Sequence, residues 1–187
     1  MTKSTNPLKR AEAFYRCVAP FFQAYALFHL IEFCAGNGNV GRIFQERDLA
    51  EKVTFVDTKI VRGLGQNIQH MQNTEIDCSG IDDYTLPQQD PIVIIGIHAC
   101  GSLTDAILER AVGSKAPVAV IPCCYNSGMK KYSLSNPPDS RLLLYLRPED
   151  YYDTVRLQFL TEQGYTTQFL TIDQKITPMN NVLIGIP

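Results

Sequence analysis

From Leu30 onward the chain is written in short, mainly apolar runs, Leu30–Cys34, Val53–Asp57, Glu75–Cys78, Ile92–Ile97 and Val118–Ile121, each followed by a polar or glycine-rich turn. Half-exposed strands would alternate apolar and polar positions; runs without alternation predict parallel strands covered on both faces. The segments between them, roughly 40–47, 59–72 and 103–112, have helical spacing, and Thr104 and Asp105 offer acceptors for the first turn of the last one. Such βαβ alternation predicts right-handed crossovers and a doubly wound α/β sheet. After the fifth run the rhythm changes. Residues 148–163 read as a helix closed by Gly164, and Thr167–Ile172 and Asn181–Ile186 read as strands joined without a helix, which predicts an antiparallel final pair and a seven-stranded, Rossmann-like sheet. Ahead of the sheet, residues 7–28 carry apolar positions at helical spacing with a kink expected at Pro20.

Length and charge narrow the picture. At 187 residues the chain is expected to form one domain, an N-terminal helical segment over 1–28 followed by an α/β core over 29–187. A net charge of −2 gives no whole-molecule attraction to polyanions, so any nucleic-acid contact would need a local patch. The apolar stretch from Phe14 to Phe33 is interrupted by Arg16, Pro20, Gln23, His29 and Glu32, which argues against a membrane span. Six cysteines sit in apolar runs or at strand ends rather than in a spaced framework, and a reducing, cytoplasmic setting is expected.

The first apolar run leads into Gly36-x-Gly38-x-x-Gly41. This spacing lets backbone N–H groups approach a nucleotide without a Cβ in the way, and it suits a dinucleotide as well as S-adenosylmethionine. Glu32, four positions before Gly36, would oppose a pyrophosphate and suit a ligand ammonium group. Cys34 and Asn37 lie in the same loop. Asp57, with Thr58 beside it at the end of the second run, can accept ribose hydroxyls of either cofactor. A dehydrogenase would also need a substrate domain, for which little chain is left. S-adenosylmethionine is therefore the expected cofactor, and a nicotinamide-binding oxidoreductase is the alternative. Ile81 and Asp82, in the turn after the third run, are placed to meet the adenine.

The fourth and fifth runs close with Ile97-His98-Ala99-Cys100-Gly101-Ser102-Leu103-Thr104-Asp105 and Ile121-Pro122-Cys123-Cys124-Tyr125. Together with the glycine loop these resemble a family of methyltransferase-like domains that carry HACG-x-L-[ST]-D and PCCY segments. Its members include the ribosomal RNA adenine dimethylase domain-containing and glutathione S-transferase C-terminal domain-containing proteins, and the tRNA acceptor-region 2′-O-methyltransferase is a more distant relative. The resemblance covers about Leu30 to Tyr125 and implies a class I methyltransferase fold that binds S-adenosylmethionine; it leaves the acceptor open, with RNA and protein as the classes considered.

Ligands of open α/β sheets bind at the carboxyl ends of strands, so His98 and Cys123 or Cys124 are expected near the transferring methyl, with strands four and five as neighbours across the switch point. A near-neutral imidazole makes His98 the candidate for removing an acceptor proton or positioning the acceptor. Tyr125 and Asn126 fall on the substrate side, and Lys130 and Lys131 with Tyr132 and Arg141 form a basic, aromatic cluster suited to a phosphate backbone. His98, Cys100, Cys123 and Cys124 nominally suggest zinc, but adjacent strand residues point to opposite faces, so no metal is expected. Asn136-Pro137-Pro138-Asp139 spells most of an amino-methyltransferase motif but follows the wrong strand, and it reads as a turn. A module that binds the cofactor without transferring a methyl group is the remaining alternative.

Overall fold

The computed structural model describes residues 6–25, 27–88, 91–125, 132–135 and 137–187. Helix α1 (Pro7–Phe22) begins at Asn6, whose side chain accepts the Leu8 N–H at 2.9 Å, with Pro7 at the first helical position. It runs through Pro20, which removes one i→i−4 hydrogen bond from the last turn, and stops two residues later at Phe22. Then follow β1 (Phe28–Phe33), α2 (Asn39–Glu46), β2 (Ala50–Val56), α3 (Arg62–Ile68), β3 (Thr74–Asp77), β4 (Ile92–Cys100), α4 (Ser102–Ser114), β5 (Val118–Cys123), α5 (Pro148–Glu162), β6 (Thr166–Thr171) and β7 (Asn181–Ile186). The expected helix over 59–72 is shorter than its pattern and forms only over Arg62–Ile68.

The strands form one seven-stranded sheet in the order β3-β2-β1-β4-β5-β7-β6. Strands β1 to β5 are parallel, and β7 runs antiparallel to both β5 and β6. The order reverses between β1 and β4, not between β4 and β5, so the crevice opens at the carboxyl ends of β1 and β4. That switch point brings the glycine loop and the HACG segment together.

Alternation within each buried strand divides the core into two layers. Leu30, Val53, Phe55, Val93 and Ile95 face Phe14, Phe22 and Phe44 from α1 and α2, whereas Ile31, Phe33, Ile94, Val118 and Val120 face Ile107, Leu108 and Leu160 from α4 and α5. Covering on both faces is why β1 and β5 are buried along their whole lengths and show no polar alternation. Among the described residues no helix is long and apolar enough to cross a membrane.

Candidate functional site

Each glycine of the fingerprint has its own steric task. Gly36 takes φ +51° and a Cβ there would meet nothing within 4 Å, so it borders open space. At Gly38, φ is +66° and an added Cβ would run into Leu64. A Cβ on Gly41 would lie 2.6 Å from Val53 Cγ1 and 2.9 Å from Glu32 Oε2, so only glycine lets α2 start this close to β1. The Gly36 N–H donates to Asp57 Oδ2 at 3.0 Å, and the Lys59 N–H donates to Asp57 Oδ1 at 3.1 Å, which fixes the Asp57 carboxylate against the loop. Thr58 lies exposed beside it.

A cavity of about 350 Å³ opens over this loop. Glu32, Cys34, Gly36 and Asn37 line it from β1 and the loop, His98 lines it from β4, and Arg10 of α1 closes one side. The volume falls in the range of small-molecule sites. Glu32 does not present a free carboxylate to this space. It is 3% exposed and accepts the Gly41 N–H at 2.7 Å; burial pushes its carboxyl up to about 8, opposed by that hydrogen bond and reinforced by the charge of Asp57. At neutral pH Glu32 is therefore mostly protonated, which corrects the reading of it as a standing anion.

His98 sits where the register of β4 against β5 shifts between Ile97 and Ala99, a bulge that inserts one extra residue and re-aims its side chain. Its φ of +57° is a left-handed conformation that L-residues with a Cβ rarely hold. Cys34 and Cys124, at the ends of β1 and β5, adopt φ of +54° and +56°. Strain of this kind clusters at ligand-binding and catalytic sites. Burial, and then the Arg10 cation, bring the His98 imidazole down to about 4, so it is neutral over the physiological range. Its Nε2 lies 3.4 Å from the Thr177 hydroxyl, contributed by the segment between β6 and β7.

The other expected residues are placed as follows. Ile81 is buried in the layer that contains Phe33 and Val56. Asp82 turns away and lines a different, larger cavity of about 750 Å³ with Pro91, Arg110 and Pro117, at the amino ends of β4 and β5. Gly80 causes the divergence: its carbonyl accepts the Asp83 and Tyr84 N–H groups, and the resulting turn sends Ile81 inward and Asp82 outward. Tyr125 is not free for a substrate, because its hydroxyl donates to Asp153 Oδ2 at 2.5 Å. Tyr132 likewise donates to Asp105 Oδ1 at 3.0 Å and stacks on Phe159, and Arg141 is paired with Asp139. Asn126, Lys130, Lys131 and Asn136 lie outside the described residues. Thr104 and Asp105 do not cap α4: the Thr104 hydroxyl donates back to the Ala99 carbonyl, and Asp105 is turned to an arginine.

That arginine is Arg156 of α5, 2% exposed, and nothing local in the sequence marks it. Its Nε donates to Asp105 Oδ1 at 2.8 Å, its Nη1 to Asp153 Oδ1 at 3.1 Å and its Nη2 to the Gly101 carbonyl at 3.2 Å, while the Tyr125 ring packs against the guanidinium. Asn181 of β7 donates to Asp153 Oδ2 at 2.9 Å. One cation thus holds the segments after β4 and β5 in place. The Gly101 N–H also donates to the Cys123 carbonyl at 3.0 Å. Beneath this, the expectation that Cys123 and Cys124 face opposite sides fails. Strand β5 ends at Cys123, the positive φ of Cys124 turns the chain, and both thiols reach Cys100.

A doubly wound sheet with an antiparallel final pair, and a glycine loop, strand-two carboxylate and bulged histidine around one cavity at the switch point, define a class I methyltransferase architecture. The chain belongs to the methyltransferase domain family, whose model matches residues 7–130. It is 23% identical over 197 residues to the human glutathione S-transferase C-terminal domain-containing protein, a match covering 84% of this chain. The chain spans about 30% of the length of that relative. Among solved structures it is similar to an rRNA methylase from Streptococcus thermophilus, with a TM-score of 0.59, 14% identity and coverage of 92% of this chain and 95% of that one. It is also similar to magnesium protoporphyrin IX methyltransferase from Synechocystis PCC 6803 with bound SAH, with a TM-score of 0.60, 10% identity and coverage of 96% and 82%. At these identities the likeness concerns the fold.

Proposed function

We propose that the chain transfers the methyl group of S-adenosylmethionine to an acceptor brought over the carboxyl ends of β4 and β5. The observation that carries this reading is the single cavity bordered by Gly36, Glu32, Arg10 and His98, with the Asp57 carboxylate locked beside it. The residues fit the cofactor. Gly36 leaves room where a Cβ would point, Asp57 can accept ribose hydroxyls, Ile81 offers an apolar surface near the end of β2 and Arg10 can meet the ligand's carboxylate. Bound there, the sulfonium would supply an activated methyl group.

The chain's own contribution is placement. Holding an acceptor in line with a bound donor replaces a bimolecular encounter with a near-attack geometry. The near-neutral imidazole expected of His98 is lowered to about 4, which makes it a weak base, so its part is to accept a hydrogen bond from an acceptor hydroxyl or amine and position it from the bulge beside the cavity. Between acceptor classes we favour RNA or protein over a small molecule, RNA because one of the similar structures is an rRNA methylase. The two structural neighbours, an rRNA methylase and a magnesium protoporphyrin IX methyltransferase, illustrate how widely this fold varies its acceptor. Incubating the chain with methyl-labelled S-adenosylmethionine and separate RNA and protein pools tests the reading. Label is expected in one pool and absent with His98→Asn. A protein that binds the cofactor and labels neither pool would instead be a binding module.

A further inference from the structure

Three thiols converge at the carboxyl ends of β4 and β5. Cys100 Sγ lies 2.9 Å from Cys123 Sγ and 3.2 Å from Cys124 Sγ, and all three sulfurs lie within 4.8 Å of one another. We propose that Cys100, Cys123 and Cys124 form a binding site for a single thiophilic metal ion of the kind Zn²⁺ represents. The inference stands apart from the cofactor reading, since none of its three ligands lines the cavity over the glycine loop.

Donor chemistry comes first. Three soft sulfur ligands select Zn²⁺ or Cu⁺ over Mg²⁺ or Ca²⁺. Geometry agrees. With a Zn–S bond of about 2.3 Å and tetrahedral angles, ligand sulfurs stand roughly 3.8 Å apart, so the thiols need to spread by less than about 1 Å. The frame that carries them is already built. Cys100 and Cys123 are direct register partners on neighbouring strands, the Gly101 N–H holds the Cys123 carbonyl, and Arg156 holds the Gly101 carbonyl. Cys124 joins them only because its backbone takes a left-handed turn, a strained choice that a β-strand continuation would not need. Access is open, since Cys100 and Cys124 are exposed while Cys123 is buried. Three protein ligands plus one position open to solvent is the pattern of a reactive zinc site and not of a closed structural one.

Metal ligands are thiolates, so each Zn–S bond that forms displaces a thiol proton and affinity rises with pH. A Cys100–Cys123 disulfide would use two sulfurs, leave Cys124 over and require an external oxidant that removes two electrons and two protons.

The test uses the full chain, reduced and stripped of metal by a chelator, and titrated with Zn²⁺ against a chromophoric competitor while released protons are counted. One tight equivalent per chain with about three protons released is expected. Cys100→Ser and Cys123→Ser should each weaken it by about 100-fold or more, and Cys78→Ser should leave it unchanged, given that even outer-shell changes cost 10–100-fold. A parallel readout needs no variant: Zn²⁺ should protect Cys100, Cys123 and Cys124, but not Cys78, from alkylation mapped by mass spectrometry. Equal alkylation of all four with and without Zn²⁺ overturns the proposal. So does retention of full affinity in Cys100→Ser, or a chain that resists Zn²⁺ and yields a Cys100–Cys123 disulfide under mild oxidant.

Discussion

Glu32 and His98 in the cleft depart from their ordinary ionisation, and each supports a claim with a measurable sign. Glu32, raised by burial from 4.5 to about 8, binds a proton in the folded chain that the unfolded chain has lost across that interval. Its contribution to stability is therefore fully present below pH 4.5 and is lost as pH rises to about 8, by at most ~1.4 kcal/mol per pH unit. Glu32→Gln keeps an oxygen for the Gly41 N–H but cannot ionise. Denaturant unfolding should find it more stable than the parent at pH 8, with the gap closing at pH 5; an equal gap at both would show that Glu32 does not titrate in this window. His98 makes a backbone claim as well as a chemical one. Asparagine tolerates a left-handed conformation and a β-branched residue does not, so His98→Val should be about 1–2 kcal/mol less stable than His98→Asn, with transfer lost in both. Equal thermal midpoints would remove the strain from the account. At this scale the sequence was legible where a residue's role is local: the glycines, Asp57 and His98 announce themselves by spacing after apolar runs. Glu32 was legible as a position, but its charge was not, because burial decides it.

Among elements, α5 does more than cover the sheet. Arg156 reaches across to Asp105 on α4 and to Gly101 beyond β4, and through Asp153 to Tyr125 beyond β5. Removing it takes from Asp105 and Asp153 the buried guanidinium they share, and loss of one partner of a buried pair costs about 3–5 kcal/mol. Arg156→Ala should lose that much in equilibrium unfolding, and a loss below about 1 kcal/mol would mean the network is not tightly held. Gly41→Ala tests the junction of β1 and α2, where the new methyl meets Val53 and Phe55; overpacking there should cost about 1–3 kcal/mol and weaken cofactor binding with it. The elements themselves were readable from their apolar runs, down to the antiparallel last pair. Their mutual bonds were not: Arg156 and Asp105 stand 51 positions apart, and no periodicity links them. The pairing of adjacent cysteines was misjudged for a related reason, since strand alternation holds only as far as the strand, and β5 ends between them.

For the whole molecule, the order of the sheet determines which strand ends meet. Alternating β and α segments predicted a doubly wound sheet, but the reversal between β1 and β4 emerges only from the assembled topology, and it is this reversal that sets His98 over the glycine loop. Helix α1 was legible as a helix, whereas its Arg10 in the wall of the cavity, and Thr177 against His98, depend on packing of distant segments. The central claim is that this cleft holds S-adenosylmethionine. Calorimetric titration with S-adenosylhomocysteine and, separately, with NAD, on the chain and on Asp57→Ala, tests it most directly. Binding of S-adenosylhomocysteine alone, weakened at least about tenfold in the variant by loss of a charged hydrogen-bond acceptor, is the predicted result. Binding of NAD in its place would contradict the account.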